Sequence, residues 1–267
     1  MVAPAALKFD DILYEKKAGI ARITINRPQS YNSVTQHSIE ELTAAFRDAA
    51  EDDEVGVIVF TGAGEKAFCS GGNMQSISER TSSVKRGHLR VMANLAVTMR
   101  TSGKPIIAAV NGMAVGGGFE IALAADLIVA SDHAEFFLPE ATLGLIADNA
   151  TIRLPRVVPP NVAREMLISG RRMSATEAKS WGIVNQVSTS DDLMTTARQL
   201  AEKICLSAPL SVAAVLDLIR QLETVSTDDA MSVLRSNPTY RSAIESQDAA
   251  EGTKAFAEKR APKWQGK

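Results

Sequence analysis

Cysteine, histidine, aromatic residues and net charge are all scarce in this sequence of 267 residues, and each scarcity removes a class of function. The only cysteines, Cys69 and Cys205, lie far apart, which gives neither a disulfide framework nor a zinc-ligand spacing. His37, His88 and His133 are scattered among polar segments, so neither a histidine-based triad nor a metal site is indicated. Lys plus Arg number 29 against 31 Asp plus Glu, a formal net charge of -2 that offers no basic field to nucleic acid or to an anionic membrane. No run approaches the ~18 apolar residues of a membrane span, and the opening "MVAPAALKFDDILYEKK" has neither a basic n-region nor an apolar h-region. The expectation is a cytoplasmic protein that binds neither nucleic acid nor membrane.

What is present alternates. "DILYEKKAGIARITINRP" reads as two β-rich runs turning at Ala18-Gly19 and ended by Pro28. "TQHSIEELTAAFRDAAED" sets Ile39, Leu42, Ala45 and Phe46 at helical spacing behind Thr35, a candidate N-cap. "VGVIVFTG" is a short continuous apolar run, the pattern of a strand covered on both faces. "KPIIAAVNG", "GGFEIALAAD" and "LIVASD" then read as strand, helix and strand, so the fold class is α/β with parallel pairing. From about Arg164 helices dominate, interrupted by one short strand in "IVNQVS". Residues 1–205 are expected to form the core and residues 206–267 a helical C-terminal module.

Two glycine loops carry the chemistry. "NGMAVGGGFEIALAAD" places Gly116, Gly117 and Gly118 before an apolar helix, with Glu120 set between Phe119 and Ile121. Without Cβ atoms a ligand can approach the backbone, and a helix that starts there points unpaired N–H groups at it. The spacing fits neither G-x-G-x-x-G nor G-x-x-x-x-G-K-[ST]. Read alone, the glycines are equally a tight strand-to-helix turn, and Glu120 equally a dipole-matching residue. "KAFCSGGNMQSI" supplies the second loop, Ser70, Gly71, Gly72 and Asn73, whose amides are positioned to converge on the first as an oxyanion hole. Cys69 has no base near it in sequence and reads as a buried apolar residue. A second carboxylate, Glu140, follows Pro139 in "AEFFLPEATLGL".

Taken in order, "ITINRPQSYNSV", "FCSGGNM", "KPIIAAVNGMAVGGGFEIALAAD", "FFLPEATLGL", "LISGRRMSATEAKSWGIVN" and "AFAEKR" resemble the enoyl-CoA hydratase/isomerase, or crotonase, superfamily over essentially the whole chain. The resemblance implies a crotonase-like spiral of ββα turns with helices after it, assembled as a homotrimer or as a homohexamer built from two trimers. It implies an acyl-CoA substrate, with coenzyme A as part of that substrate and no separate cofactor. It assigns the thioester oxygen to the amides of Ser70 and Gly117, and proton transfer to Glu120 and Glu140. Two glutamates favour addition or elimination of water, while isomerisation and other reactions through a CoA enolate remain open. Near-neutral charge and intact loops stand against an RNA-binding or scaffold member.

Several of these stretches, with "LPRVVPP", "EMLISGRRM" and "FAEKRAPKWQGK", resemble most the branch acting on a trimethylammonium acyl-CoA. Two departures mark the chain. "LIADNATIRL" replaces a longer glycine-rich loop, placing Ala147, Asp148, Asn149 and Ala150 at the acyl end, with Asp148 either facing the substrate's cation or capping a helix turn. Gln29 stands where many relatives carry a base toward the nucleotide, a contact for which Arg27 or Lys259 is the substitute. Residues 247–267 hold five Lys or Arg against three Asp or Glu, and there Phe256 would cover adenine and Lys259 would pair with a phosphate.

Overall fold

The computed structural model describes residues 8–72 and 92–267. Strands β1 (Ile12–Lys17) and β2 (Ile20–Ile25) form an antiparallel hairpin. Its two-residue turn holds Ala18 and Gly19 at φ of 50° and 78°, the left-handed pair whose twist matches that of the flanking strands. Beyond it the main sheet is parallel, in the order β1-β2-β3-β5-β7-β10, with β3 at Val57–Gly62, β5 at Ile106–Val110, β7 at Leu127–Ser131 and β10 at Gln186–Ser188.

Alternation along β3 explains its unbroken apolar sequence. Ile58 and Phe60 join the core that includes Ile39, Leu42 and Phe46 of α1 (Gln36–Glu51), whereas Val57 and Val59 join Leu193, Ala197 and Ala201 of the helix Leu193–Cys205. Both faces are dry, so no polar alternation survives. Thr35 caps α1 through the Ser38 amide, and the Ser38 hydroxyl accepts from the Thr35 amide in return.

A second sheet, in the order β4-β6-β8-β9, consists of pieces of two or three residues: β4 at Ala67–Cys69, β6 at Met113–Val115, β8 at Glu135–Phe137 and β9 at Met173–Ser174. The parallel strands β3, β5 and β7 of the large sheet are each followed by one strand of the small sheet, giving the ββα spiral. The glycine loops leave β4 and β6 side by side because those two strands are paired in parallel. Past Pro209 come the helices Pro209–Leu222, Thr227–Ser236, Pro238–Ile244 and Gln247–Ala257, the first and third of which share a small cluster of Ala214, Leu218 and Ala243.

Candidate active site

Helix α2 (Gly117–Ala124) begins directly on the first glycine loop. Gly116 has φ 53° and ψ -123°, a conformation that only glycine adopts cheaply, and a Cβ there would collide with the Glu140 carboxylate. A Cβ on Gly118 would strike the Cys69 carbonyl. The helix start is thus pressed between β4 and Glu140. Its first amide, Gly117 N–H, has no hydrogen-bond partner among the described residues, as expected at the first position of a helix.

Across from it, the amides of the second loop are used differently from the sequence expectation. Ser70 N–H donates to the Tyr31 carbonyl at 3.1 Å, so that amide is spent inside the fold and is not available to a substrate. Gly72 N–H has no partner among the described residues, and a Cβ placed on Gly117 would stand 3.9 Å from the Gly72 nitrogen. The pair of converging donors is therefore Gly72 and Gly117. Gly71 supplies the bend, at φ 85°, and approaches so closely that its own Cβ would lie 2.9 Å from the Val115 carbonyl. Asn73 and His88 lie outside the described residues.

What places Tyr31 beneath this loop is a buried asparagine. Asn32 Oδ1 accepts the Arg27 amide at 3.0 Å, and its Nδ2 donates to the carbonyls of Ala63 and Ala67 at 3.0 and 2.7 Å. Tyr31 and Asn32 both take positive φ, 53° and 54°, which turns the Tyr31 carbonyl toward Ser70. Asn111 secures the same connection from the other side, donating to Gly64 O at 2.6 Å and accepting from Gly62 N at 3.1 Å. "SYNS" was the available signal, a polar side chain in a stretch bound for the interior. Arg27 itself pairs with Asp11 at 2.6 Å, with its buried Nε unpartnered among the described residues.

The carboxylates meet opposite surroundings. Glu120 Oε1 accepts the Ala150 amide at 2.9 Å, and Asn149 Nδ2 donates to the Glu120 carbonyl at 2.8 Å. Ala150 lies in the first turn of α3 (Asp148–Val157), whose cap residue Ala147 offers no side-chain bond. Glu120 thereby does for α3 what a capping side chain would. Burial raises its pKa, the amides of Ala150 and Asn149 oppose this, and the Asp148 charge adds to the rise. Glu140 begins a short 3-10 turn, Glu140–Leu143, and its Oε2 is buried with no partner among the described residues. Desolvation pushes its pKa up to about 7, opposed by its own amide and reinforced by the negative charge of Glu120. Cys69 is fully buried, and desolvation pushes its thiol up to about 12, which disfavours the thiolate.

Not all the expected residues converge. Asp148 is exposed at the first position of α3, near enough for its charge to act on Glu120, and it makes no capping bond. Phe256 is 88 % exposed near the end of the helix Gln247–Ala257, and Lys259 follows it on the surface at φ 53°. No hydrogen bond or ion pair among the described residues joins either to the glycine loops.

Comparison with known proteins identifies the family to which this chain is similar. The family model for enoyl-CoA hydratase/isomerase matches residues 15–267. Carnitinyl-CoA dehydratase of Proteus mirabilis is 41% identical over 256 residues, covering 94% of this chain and 97% of that protein. The carnitinyl-CoA dehydratase of Escherichia coli K12 is 41% identical over 255 residues with the same coverage. Among solved structures, an enoyl-CoA hydratase from Bacillus anthracis superposes with a TM-score of 0.93 at 32% identity, over 97% of this chain and 100% of that one. An enoyl-CoA hydratase from Mycobacterium tuberculosis gives 0.87 at 34% identity, over 96% and 99%. With the match spanning nearly its full length, the chain belongs to the enoyl-CoA hydratase/isomerase family.

Proposed function

We propose that this enzyme adds water reversibly to the 2,3 double bond of an acyl-CoA thioester, with a trimethylammonium acyl group, as in crotonobetainyl-CoA, as its preferred substrate. The observation that carries the reaction is the unequal carboxylate pair, Glu120 in the helix that starts on the first glycine loop and Glu140 against Gly116 of that loop. The amides of Gly72 and Gly117 donate to the thioester oxygen and draw electron density from Cβ. Glu120, whose ionised form the Ala150 amide favours against the burial that raises its pKa, takes a proton from water as the water oxygen bonds to Cβ. The negative charge passes to the thioester oxygen as an enolate, and Glu140 delivers its proton to Cα as the enolate collapses. One proton has then moved from Glu140 to Glu120, and exchange within the coupled pair restores the start. Run backwards, the same steps eliminate water.

The acyl preference rests on the identity with carnitinyl-CoA dehydratases and on Asp148, an exposed carboxylate beside the catalytic pair. A buried fixed cation needs such a partner. Phe256 and Lys259 are assigned to the nucleotide end of CoA in a trimer or a dimer of trimers, a reading supported by an aromatic ring left 88 % exposed in the single chain. A screen of purified protein with crotonobetainyl-CoA, crotonyl-CoA, longer 2-enoyl-CoAs and 3-enoyl-CoAs tests the proposal. Hydration of crotonobetainyl-CoA with the highest kcat/KM is expected. Turnover of 3-enoyl-CoAs alone would make the enzyme an isomerase, and good hydration of crotonyl-CoA without crotonobetainyl-CoA turnover would end the trimethylammonium assignment.

A further inference from the structure

Glu223 closes the helix Pro209–Leu222, far in sequence from either glycine loop. Its carboxylate is shared by two arginines from different parts of the core: Arg100 Nη2 lies 3.0 Å from Oε2, and Arg153 Nη1 lies 2.8 Å from Oε1. The side chains of Arg100, Arg153 and Glu223 are 26%, 18% and 28% exposed, so the cluster is shielded more than an ordinary surface pair. Each arginine stands on an element that touches the site. Arg100 ends the helical stretch 92–100, whose Met92 methyl would lie 3.2 Å from a Cβ on Gly117. Arg153 lies on α3 one turn beyond Ala150, the residue whose amide holds Glu120.

We propose that Glu223 is a positioning residue for Glu120: by anchoring Arg153 it fixes the start of α3 so that the Ala150 amide stays on the Glu120 carboxylate. The catalytic consequence rests on the reading of Glu120 as the base. The groups that face Glu120 are Glu140 from the 140–143 turn and Asp148 from α3, both acidic, so the Ala150 and Asn149 amides are what favour its ionised form. Asp126 lies near enough for the charges of Arg153 and Arg100 to act on it and accepts the Ile106 amide at 2.8 Å, while Glu223 is the ion-pair partner of both arginines from the C-terminal helices. Removing the Glu223 charge leaves two guanidiniums with one fewer anion, and α3 loses its outer tether.

Hydrogen exchange and the pH dependence of kcat/KM for the full-length enzyme test this with Glu223→Gln, Arg153→Gln and the double variant. Each single variant is expected to speed exchange several-fold in the peptide covering 147–153 while leaving β3 and β5 unchanged. Each is also expected to move the acid limb of kcat/KM upward by about one pH unit, a roughly tenfold loss below that limb with little change at the plateau. The double variant should be no worse than either single one. Unchanged exchange at 147–153, uniformly faster exchange across the chain, an acid limb that stays in place, or additive losses would each overturn the proposal. The exchange measurement needs no turnover, so a wild-type protein that hydrates nothing would sink the proposed function while the tether is still decided.

Discussion

Glu140 shows how one side chain joins function to stability. Its carboxyl is raised from 4.5 to about 7, so the fold prefers it protonated. Between those values the unfolded chain loses this proton and the folded chain keeps it, and stability from this group declines as pH rises through about 7. Glu140→Gln is therefore expected to stabilise the protein by about 1–3 kcal/mol at pH 8, with the gain vanishing toward pH 4, in urea melts at the two pH values. In the wild type, kcat/KM for hydration should fall on the alkaline side through the same region, because the acid that protonates Cα is lost. The oxyanion donors give a second residue-level contrast. Ser70→Ala should leave kcat within about twofold, since it removes only a hydroxyl to which the mechanism gives no role and keeps the backbone amide that donates to Tyr31. Gly117→Pro removes the N–H at a helix position that tolerates proline, and kcat should drop on the order of 10²–10³ with the fold retained by circular dichroism. Both glutamates were legible as acids placed against apolar neighbours. The choice between Ser70 and Gly72 was not, because it is settled by a hydrogen bond to a residue 39 positions away in sequence.

Among the elements, long ones announced themselves and short ones did not. The strands Val57–Gly62 and Ile106–Val110 and the helix Gln36–Glu51 carry enough residues for a hydrophobic pattern. Ala67–Cys69, Met113–Val115 and Glu135–Phe137 are three residues each, too short for any period, yet they set the two glycine loops side by side. The shortened loop before α3 is where sequence left two roles for Asp148. Structure removes the basis of one: Asp148 is the first helical residue and forms no capping bond, while the Ala150 amide is satisfied by Glu120. Asp148→Asn should accordingly raise KM for crotonobetainyl-CoA at least about tenfold more than for crotonyl-CoA, as loss of a facing charge requires, with Tm nearly unchanged. Equal losses with both substrates accompanied by a lower Tm would return Asp148 to a structural role.

At the scale of the whole molecule, the described residues include large apolar side chains that stand exposed in the single chain. Ile168, Leu206, Val215, Ile219 and Phe256 are all exposed, spread over the helices and the C-terminal segment. This supports an assembly of several copies in which the C-terminal helices reach the CoA. Lys259→Ala is expected to weaken CoA binding several-fold at low salt and to flatten its salt dependence, measured by calorimetry at two ionic strengths. Affinity unchanged at both would place Lys259 on a solvated face. The alternation of strand and helix patterns foretold the α/β class and the chain-wide resemblance implied the spiral, but contacts such as Glu223 to Arg153 join positions 70 residues apart and leave no mark in local sequence.

The central claim is that two carboxylates divide the proton work of hydration, and single-turnover and steady-state rates of Glu120→Gln and Glu140→Gln with crotonobetainyl-CoA test it most directly. Each substitution removes one proton carrier while leaving the Gly72 and Gly117 amides in place. The account predicts a kcat lower by on the order of 10²–10⁴ in each variant, with binding of the CoA thioester retained. Rates within a few-fold of wild type for both variants would contradict it.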